Sequence, residues 1–390
     1  MPSRPVVLFV AATPPVSKPT LGGNHRYLLD LLETAVALGA EAHLLSDEAR
    51  HYEELLARVD ALGVRRRAAP FCTDAPTATA ALDAALDALQ PALVHVNGHA
   101  GWLAPAVLGS RRLASVPRRL HTMHLAMDSL EAQQDRPFRW IDKLPGRWAA
   151  RQTAQDRRFL ACFSDVLSVS HRYGRLLSEL GYLTPERVTI VPNGVDSDRF
   201  RPRAGDSPDS PRLAGPVRIG AAGNLHPQKR FDLLLEAFAR LRAPAELQIA
   251  GEGPEEQALR AKASALGLAD RVAFLGFQRD MPAFLADLDV FAMTSDAEAA
   301  PYAQLEAMAC GLPAVVTAVG DLPFFLRDGV DGFLAPVGDV PAIAAGLEKL
   351  VADHALRRAL GASARARALE EFSLIVWRRR MGEYLRTRLP

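Results

Sequence analysis

Along most of this chain short apolar runs alternate with stretches of helical spacing, and a single Pro-rich segment interrupts the alternation. Val6-Val-Leu-Phe-Val10, Ala42-His-Leu-Leu45, Leu93-Val-His-Val96, Arg118 to Thr122, Val166-Leu-Ser-Val169 and Val188-Thr-Ile-Val191 read as strands. Tyr27 to Leu38, Tyr52 to Leu62 and Thr77 to Leu89 carry apolar residues at helical spacing between them. Strand, Gly-containing turn, helix and strand in that order open a parallel, doubly wound sheet. Residues 201–216 hold four prolines and almost no large apolar side chain, the composition of a linker. A second series then begins at Val217-Arg-Ile-Gly220. It runs through helix Phe231 to Leu241, strand Leu247 to Ala250, helix Glu255 to Leu266 and strands Val272 to Leu275 and Asp289 to Met293. At 390 residues the chain exceeds what one hydrophobic core organises. Two α/β domains are predicted, over 1–200 and 217–372, followed by a last helical stretch, Leu374 to Leu385.

Composition narrows the partners. With 46 basic against 45 acidic residues the net charge is +1, which argues against a broad nucleic-acid surface. The three cysteines, Cys72, Cys162 and Cys310, are far apart and odd in number, so neither a disulfide framework nor a Cys-based zinc site follows. No apolar run approaches the ~20 residues of a membrane-spanning helix. Met1-Pro-Ser-Arg-Pro leads into a strand without a signal-type apolar core, and the expected location is the cytoplasm. One local excess stands out. Residues 136–158 carry Arg136, Arg139, Lys143, Arg147, Arg151, Arg157 and Arg158 against Asp142 and Asp156, with Phe138, Trp140 and Trp148 interleaved. Such a stretch can lie on an anionic membrane or grip an anionic acceptor. It is also what a solvated helix face with aromatic anchors beneath it looks like.

Chemistry concentrates in Glu298-Ala-Ala-Pro-Tyr-Ala-Gln-Leu-Glu306-Ala-Met-Ala-Cys-Gly311-Leu-Pro313. An apolar strand precedes it and another, Ala314-Val-Val-Thr317, follows; Pro301 can open a helix between them and Gly311 can close it. Glu298 then falls in the strand-to-helix turn and Glu306 inside the helix, up to about 12 Å away at 1.5 Å of rise per residue. The N–H groups of Tyr302 and Ala303 lie between the carboxylates, where a helix N-terminus attracts an anion. A carboxylate, an anion seat and a second carboxylate in line suit a nucleotide-sugar.

The whole string resembles the Glu-x7-Glu signature of the retaining glycosyltransferases of family 4, down to its Glu-Ala-Met-Ala-Cys-Gly-x-Pro tail. The resemblance implies the GT-B fold: two facing Rossmann-like domains with an interdomain cleft, and a last helix, about 373–390, that packs back on the first domain. It also implies transfer of a sugar from a UDP- or GDP-sugar to a hydroxyl acceptor, in glycan, glycolipid or glycoside biosynthesis. Within it Glu298 contacts sugar hydroxyls, Glu306 holds the ribose, and the amides of Tyr302 and Ala303 receive the diphosphate. Neither a cofactor nor a metal is expected, since no Asp-x-Asp stands in a suitable loop. A nucleotide-sugar epimerase or phosphorylase of the same fold is the alternative, and a non-catalytic sugar-nucleotide-binding protein a further one.

Other strings extend the resemblance. Gly223-Asn-Leu-His-Pro-Gln-Lys229-Arg230 is similar to the family's Gly-Arg-Leu-x-Pro-x-Lys-Gly loop, which neutralises the departing diphosphate. Lys229 carries over; Asn224 stands where Arg is usual and Arg230 where Gly is usual, and Arg230 is one candidate for the missing charge. Gly251-Glu-Gly253-Pro and Leu275-Gly-Phe277 resemble the nucleobase pocket. Thr122-Met-His124 resembles the Thr-x-His that lies against the transferred sugar, with His121 near enough in sequence to exchange roles. Gly22 and Gly23, with His95-Val-Asn97 and His124, fall at the carboxyl ends of the first domain's strands, where ligands of such sheets bind. Pro192-Asn-Gly-Val-Asp196 resembles the signature before the linker and reads as an Asn-Gly turn without a reactive group.

Overall fold

The structure is a computed structural model and describes residues 4–12, 23–47, 52–98, 100–124, 146–203 and 215–390. It divides into two compact units, Met1–Pro192 with Trp377–Pro390, and Asn193–Val376. In chain order the first holds β1 (Val6–Ala11), α1 (Gly23–Ala37), β2 (Glu41–Ser46), α2 (Glu53–Ala61), β3 (Arg65–Ala68), α3 (Ala75–Leu89) and β4 (Leu93–Asn97). It continues through α4 (Ala100–Gly109), β5 (Arg118–Met123), α5 (Gly146–Ala161), β6 (Asp165–Ser168), α6 (His171–Glu179) and β7 (Val188–Ile190). The strands form one parallel sheet in the order β3-β2-β1-β4-β5-β6-β7. Its centre is dry: Leu8, Phe9, Val10, Val94 and Val96 are all fully buried.

Sequence reading passed over β3, because Arg65-Arg66-Arg67 carries no apolar period and every residue of the strand is exposed. It is the sheet's edge, where charge blunts pairing with other chains. Arg66 is tied bidentately to Asp60, at 2.6 and 3.0 Å.

The second unit runs β8 (Val217–Ala222), α7 (Phe231–Phe238), β9 (Ala245–Ala250), α8 (Glu256–Ala265), β10 (Val272–Gly276), α9 (Met281–Ala286) and β11 (Val290–Met293). After these come α10 (Tyr302–Ala309), β12 (Ala314–Thr317), α11 (Leu322–Phe325), β13 (Gly332–Ala335), α12 (Val340–Ala352) and α13 (His354–Glu371). Its sheet is again wholly parallel, in the order β10-β9-β8-β11-β12-β13. The core joins the α7 and α12 side chains Leu234, Phe238, Ile343 and Leu347 to Ile219, Leu247 and Val290 of the strands.

The last helix, α14 (Leu374–Arg386), belongs with the first unit from Trp377 onward. The Trp377 ring meets Tyr27 of α1 edge-on at 5.3 Å, Arg378 pairs with Glu33 at 2.7 Å, and Arg388 pairs with Asp165 at 2.9 Å. On the side of the second unit, Val195 and Ser373 form a parallel bridge. Val195 N donates to Phe372 O and Leu374 N donates to Val195 O, both at 2.8 Å. Residues 193–200 therefore lie in the second unit, eight residues earlier than the linker composition marks. Asn193-Gly194 forms no turn, correcting that expectation: the backbone there is irregular and leads into the bridge. Among the described residues no helix is long and apolar enough to cross a membrane.

Candidate functional site

In a doubly wound sheet the ligand crevice opens where neighbouring strands send their connections to opposite sides, beyond the carboxyl ends. In the second unit that point lies between β8 and β11, which are paired through Val290–Ile219 and Phe291–Gly220. The two loops leaving there are 223–230 and 294–301. They hold Lys229 and Glu298, 69 residues apart in sequence, and the Lys229 ammonium donates to Glu298 Oε1 at 2.5 Å. Ser295 Oγ donates to the same oxygen at 2.7 Å. Glu298 is only 7% exposed, and these two donors satisfy that oxygen in its buried place.

The 294–301 loop forms no strand, and its carbonyls are met from several parts of the unit. Thr317 Oγ1 donates to Ser295 O at 2.6 Å and Gln228 Nε2 to Ala297 O at 2.7 Å. Asp321 N donates to Ala299 O at 2.9 Å and Asn193 Nδ2 to Ala300 O at 2.7 Å. Gly320, at φ +57°, passes so close that a Cβ there would lie 1.7 Å from Glu298 O. That position admits only glycine, both for its left-handed backbone and for the space. Ser295, Gln228, Thr317, Gly320 and Asp321 went unnoticed in the sequence. Only the glycine following a strand offered a signal.

α10 begins at Tyr302, and its cap residue Pro301 makes no side-chain bond to the first turn. A helix start of this kind attracts an anion to its leading amides, those of Tyr302 and Ala303. Glu306 lies one turn further on and is buried at 4% exposure. Burial, and then the nearby Glu306 charge, push the Cys310 thiol up to about 12, so Cys310 is an inert neutral neighbour.

Arg230 departs from expectation. Its backbone is left-handed, at φ +49°, where the usual glycine would sit freely. Its guanidinium bonds both oxygens of Asp232, at 2.9 and 3.1 Å, and both of Asp296, at 3.1 and 3.2 Å. These bonds, the Asp232 pair first, raise its pKa further. A cation already held by two carboxylates is a poor replacement for a phosphate-binding arginine. The physical reason is Asp296, which the sheet order brings within reach from the β11 loop. Asn224 is exposed. Gly253 is where the β8 and β9 loops touch: a Cβ there would lie 2.4 Å from Leu225 O. Leu225 N donates to Glu252 O at 2.9 Å, lacing those loops together. Phe277, after β10, is 41% exposed, with its ring open to a ligand.

In the first unit, Gly23 begins α1, while Gly22 lies outside the described residues. His124 follows β5, with Nε2 2.9 Å from Asn97 Oδ1 and its ring edge-on to Tyr27 at 4.6 Å. Burial, and then the proximity of His121, lower its pKa to about 3, so it is neutral and donates through Nε2. His121 faces the other side of the sheet: Nδ1 donates to Val96 O at 3.1 Å between Phe159 and Phe163. The two histidines therefore do not exchange roles. Of the basic stretch 136–158, residues 136–145 lie outside the described residues. Arg157, on the exposed face, donates to Leu180 O at 3.1 Å and lies over the Tyr182 ring at 4.4 Å. Among the described residues no three His, Cys, Asp or Glu side chains gather as a metal site.

Two family models match in sequence, Glycosyltransferase Family 4 over residues 21–199 and Glycosyl transferases group 1 over residues 216–353. The chain is 34% identical over 197 residues to the lipopolysaccharide core biosynthesis glycosyltransferase LpsE of Rhizobium meliloti, covering 50% of this chain and 56% of that one. It is 35% identical over 151 residues to the N-acetyl-alpha-D-glucosaminyl L-malate synthase of Bacillus anthracis, covering 38% of this chain and 40% of that one. With the D-inositol 3-phosphate glycosyltransferase of Mycobacterium marinum the identity is 29%, over 96% of this chain and 83% of the relative. The chain thus spans about half the length of the first two relatives and most of the third.

In structure it is similar to Anabaena Alr3699/HepE in complex with UDP, at a TM-score of 0.77 and 20% identity over 98% and 99% of the two chains. The same protein is also known in complex with UDP-glucose. The sucrose-phosphate synthase of Thermosynechococcus elongatus gives a TM-score of 0.79 at 19% identity, over 98% and 99%. At these identities the likeness is one of fold, the GT-B pair of parallel α/β units. With matching family models across both units and glycosyltransferases among its relatives in sequence, the chain belongs to glycosyltransferase family 4.

Proposed function

We propose that this glycosyltransferase moves a sugar from a nucleoside-diphosphate sugar to a hydroxyl acceptor, with retention at the anomeric carbon. The observation that carries the reading is the Lys229–Glu298 contact at the β8/β11 switch point, just ahead of the uncapped start of α10. There a cation, a helix N-terminus and two buried carboxylates share one end of a sheet. A bound donor fits them in order: diphosphate at the amides of Tyr302 and Ala303, ribose at Glu306, sugar hydroxyls at Glu298. Lys229 then exchanges its contact with Glu298 for the diphosphate, and Glu298 turns from salt-bridge partner to hydroxyl acceptor.

In the reaction the bond from C1 to the phosphate oxygen breaks and one from C1 to the acceptor oxygen forms on the same face. The acceptor proton goes to the departing phosphate oxygen. Charge growing on that phosphate is met by Lys229 and the α10 amides, which strengthens these contacts in the transition state. Within the first unit His124, neutral and held by Asn97, suits a hydrogen-bonding group rather than an acid. The UDP and UDP-glucose complexes of a structural neighbour favour a uridine donor, with guanosine the competitor.

Calorimetric titration with UDP-, GDP- and ADP-sugars tests the donor class. Anomeric analysis of the product by NMR tests retention. Product analysis with donor alone separates the alternative: conversion of the donor to its epimer marks an epimerase and ends the transferase reading.

A further inference from the structure

We infer that Asn193 is a positioning residue for the donor loop, setting the Ala300 carbonyl and through it the turn that presents Glu298 and starts α10. This rests on the donor reading above. The residue is the first of the second unit and is 4% exposed. Its Nδ2 donates to Ala300 O at 2.7 Å across 107 residues of sequence.

Three features give the bond a purpose beyond packing. First, Ala300 precedes Pro301, which restricts it to extended backbone and has no N–H of its own to tie the loop down. Second, Asn193 Oδ1 is buried with no hydrogen-bond partner among the described residues. An unpartnered buried acceptor is unfavourable, and an apolar side chain would avoid it. The amide is kept there in spite of its oxygen, which singles out the donor half as the part in use. Third, two residues later Val195 is bridged to Ser373, so the backbone carrying Asn193 is itself fixed. The neighbouring carbonyls of Ala297 and Ala299 have their own donors in Gln228 and Asp321. Asn193 meets the carbonyl of Ala300, the residue just ahead of Pro301 and the helix start. Loss of this bond should loosen the part of the loop that meets the sugar more than the α10 body that meets the ribose.

The test compares UDP with UDP-glucose, and GDP with GDP-mannose, by calorimetry on the wild type and on Asn193→Ala. The affinity gained from the sugar half should fall about tenfold, while the dissociation constant of the bare nucleotide moves less than about threefold. Hydrogen exchange of residues 296–304 should rise in the free variant, with the rest of the second unit unchanged. A residue that only packs would weaken both ligands alike and lower protection throughout the unit, and that result overturns the inference, as does unchanged protection with unchanged binding.

Asn193→Asp supplies a second handle should the alanine variant unfold. Its ionised carboxyl cannot donate to Ala300 O, but its protonated form can. Protection of 296–304, corrected for intrinsic exchange, should return as the pH falls, and a loss of protection indifferent to pH would also overturn the inference. If the wild type binds neither nucleotide, the donor reading fails, while the exchange measurements still decide whether Asn193 holds the loop.

Discussion

At the scale of single residues, Lys229 pairs with Glu298 at the β8/β11 switch point, and the proposed reaction rests on its charge. Lys229→Ala should lower turnover about a hundredfold, the usual scale for one preorganised electrostatic partner, and should weaken donor binding much less. Steady-state kinetics with a melting curve checks this; near-normal turnover in a folded variant would remove Lys229 from the reaction. Arg230→Ala should do the reverse, lowering the melting temperature while sparing turnover, because its guanidinium braces Asp232 and Asp296. With charge on the leaving group assigned to protein groups, activity should persist in EDTA. Complete loss on chelation, restored by magnesium or manganese, would overturn that assignment. On the proposed donor placement Glu306 accepts from the ribose; Glu306→Ala should then lose a charged acceptor worth about 1.5–3 kcal/mol and raise the nucleotide dissociation constant about tenfold or more. Titration with the free nucleoside diphosphate reads this directly.

At the scale of elements, the turn before β13 is fastened to α13 by Asp331, which is completely buried. Arg327 donates to its two oxygens through Nε and Nη2, both at 2.8 Å, and Ser363 Oγ donates at 2.7 Å. Burial alone would raise the carboxyl, but the bonds from Arg327 and Ser363 outweigh it and hold the pKa down to about 2. A folded-state pKa below the unfolded one stabilises the protein at pH above the unfolded value. The contribution, on the order of 2 kcal/mol, is lost as pH falls from about 4 through 2. Denaturant titrations across that range should show a smaller acid-induced loss in Asp331→Asn than in the wild type. Parallel curves would deny Asp331 this role.

At the scale of the whole molecule, the C-terminal segment completes the first unit although it follows the second in sequence. Trp377, Met381, Tyr384 and Leu385 are each at most 5% exposed. Burying a side chain of this size is worth about 1.5–3 kcal/mol, against about 5–15 kcal/mol for a typical domain. A chain ending at Val376 should therefore lose the thermal transition of the first unit while the second still unfolds cooperatively. That second transition should still shift upward with the nucleotide the wild type binds, by mass action. Calorimetry of the truncated chain checks both, and an unchanged first transition would show that α14 adds little.

What the sequence determined by itself is what short-range patterning controls. Apolar runs and helical periods placed most of the strands and helices, because burial repeats along a single element. Pro301 and Gly311 bracketed α10, since helix ends are local events. Lys229 and the two glutamates stood out as candidates because each stands in a contiguous string. Tertiary structure decided the partnerships between strings. Arg230 reads as a spare cation until the sheet order brings Asp296, 66 residues away, against it. Asn193 reads as half of a turn until its amide is found on Ala300, and β3, which carries no apolar period, shows itself only by pairing at an open edge. In each case the deciding interaction joins residues whose separation in sequence says nothing of their distance. For Arg230 it is the parallel order β10-β9-β8-β11-β12-β13 that sets the β8 and β11 loops side by side and supplies it.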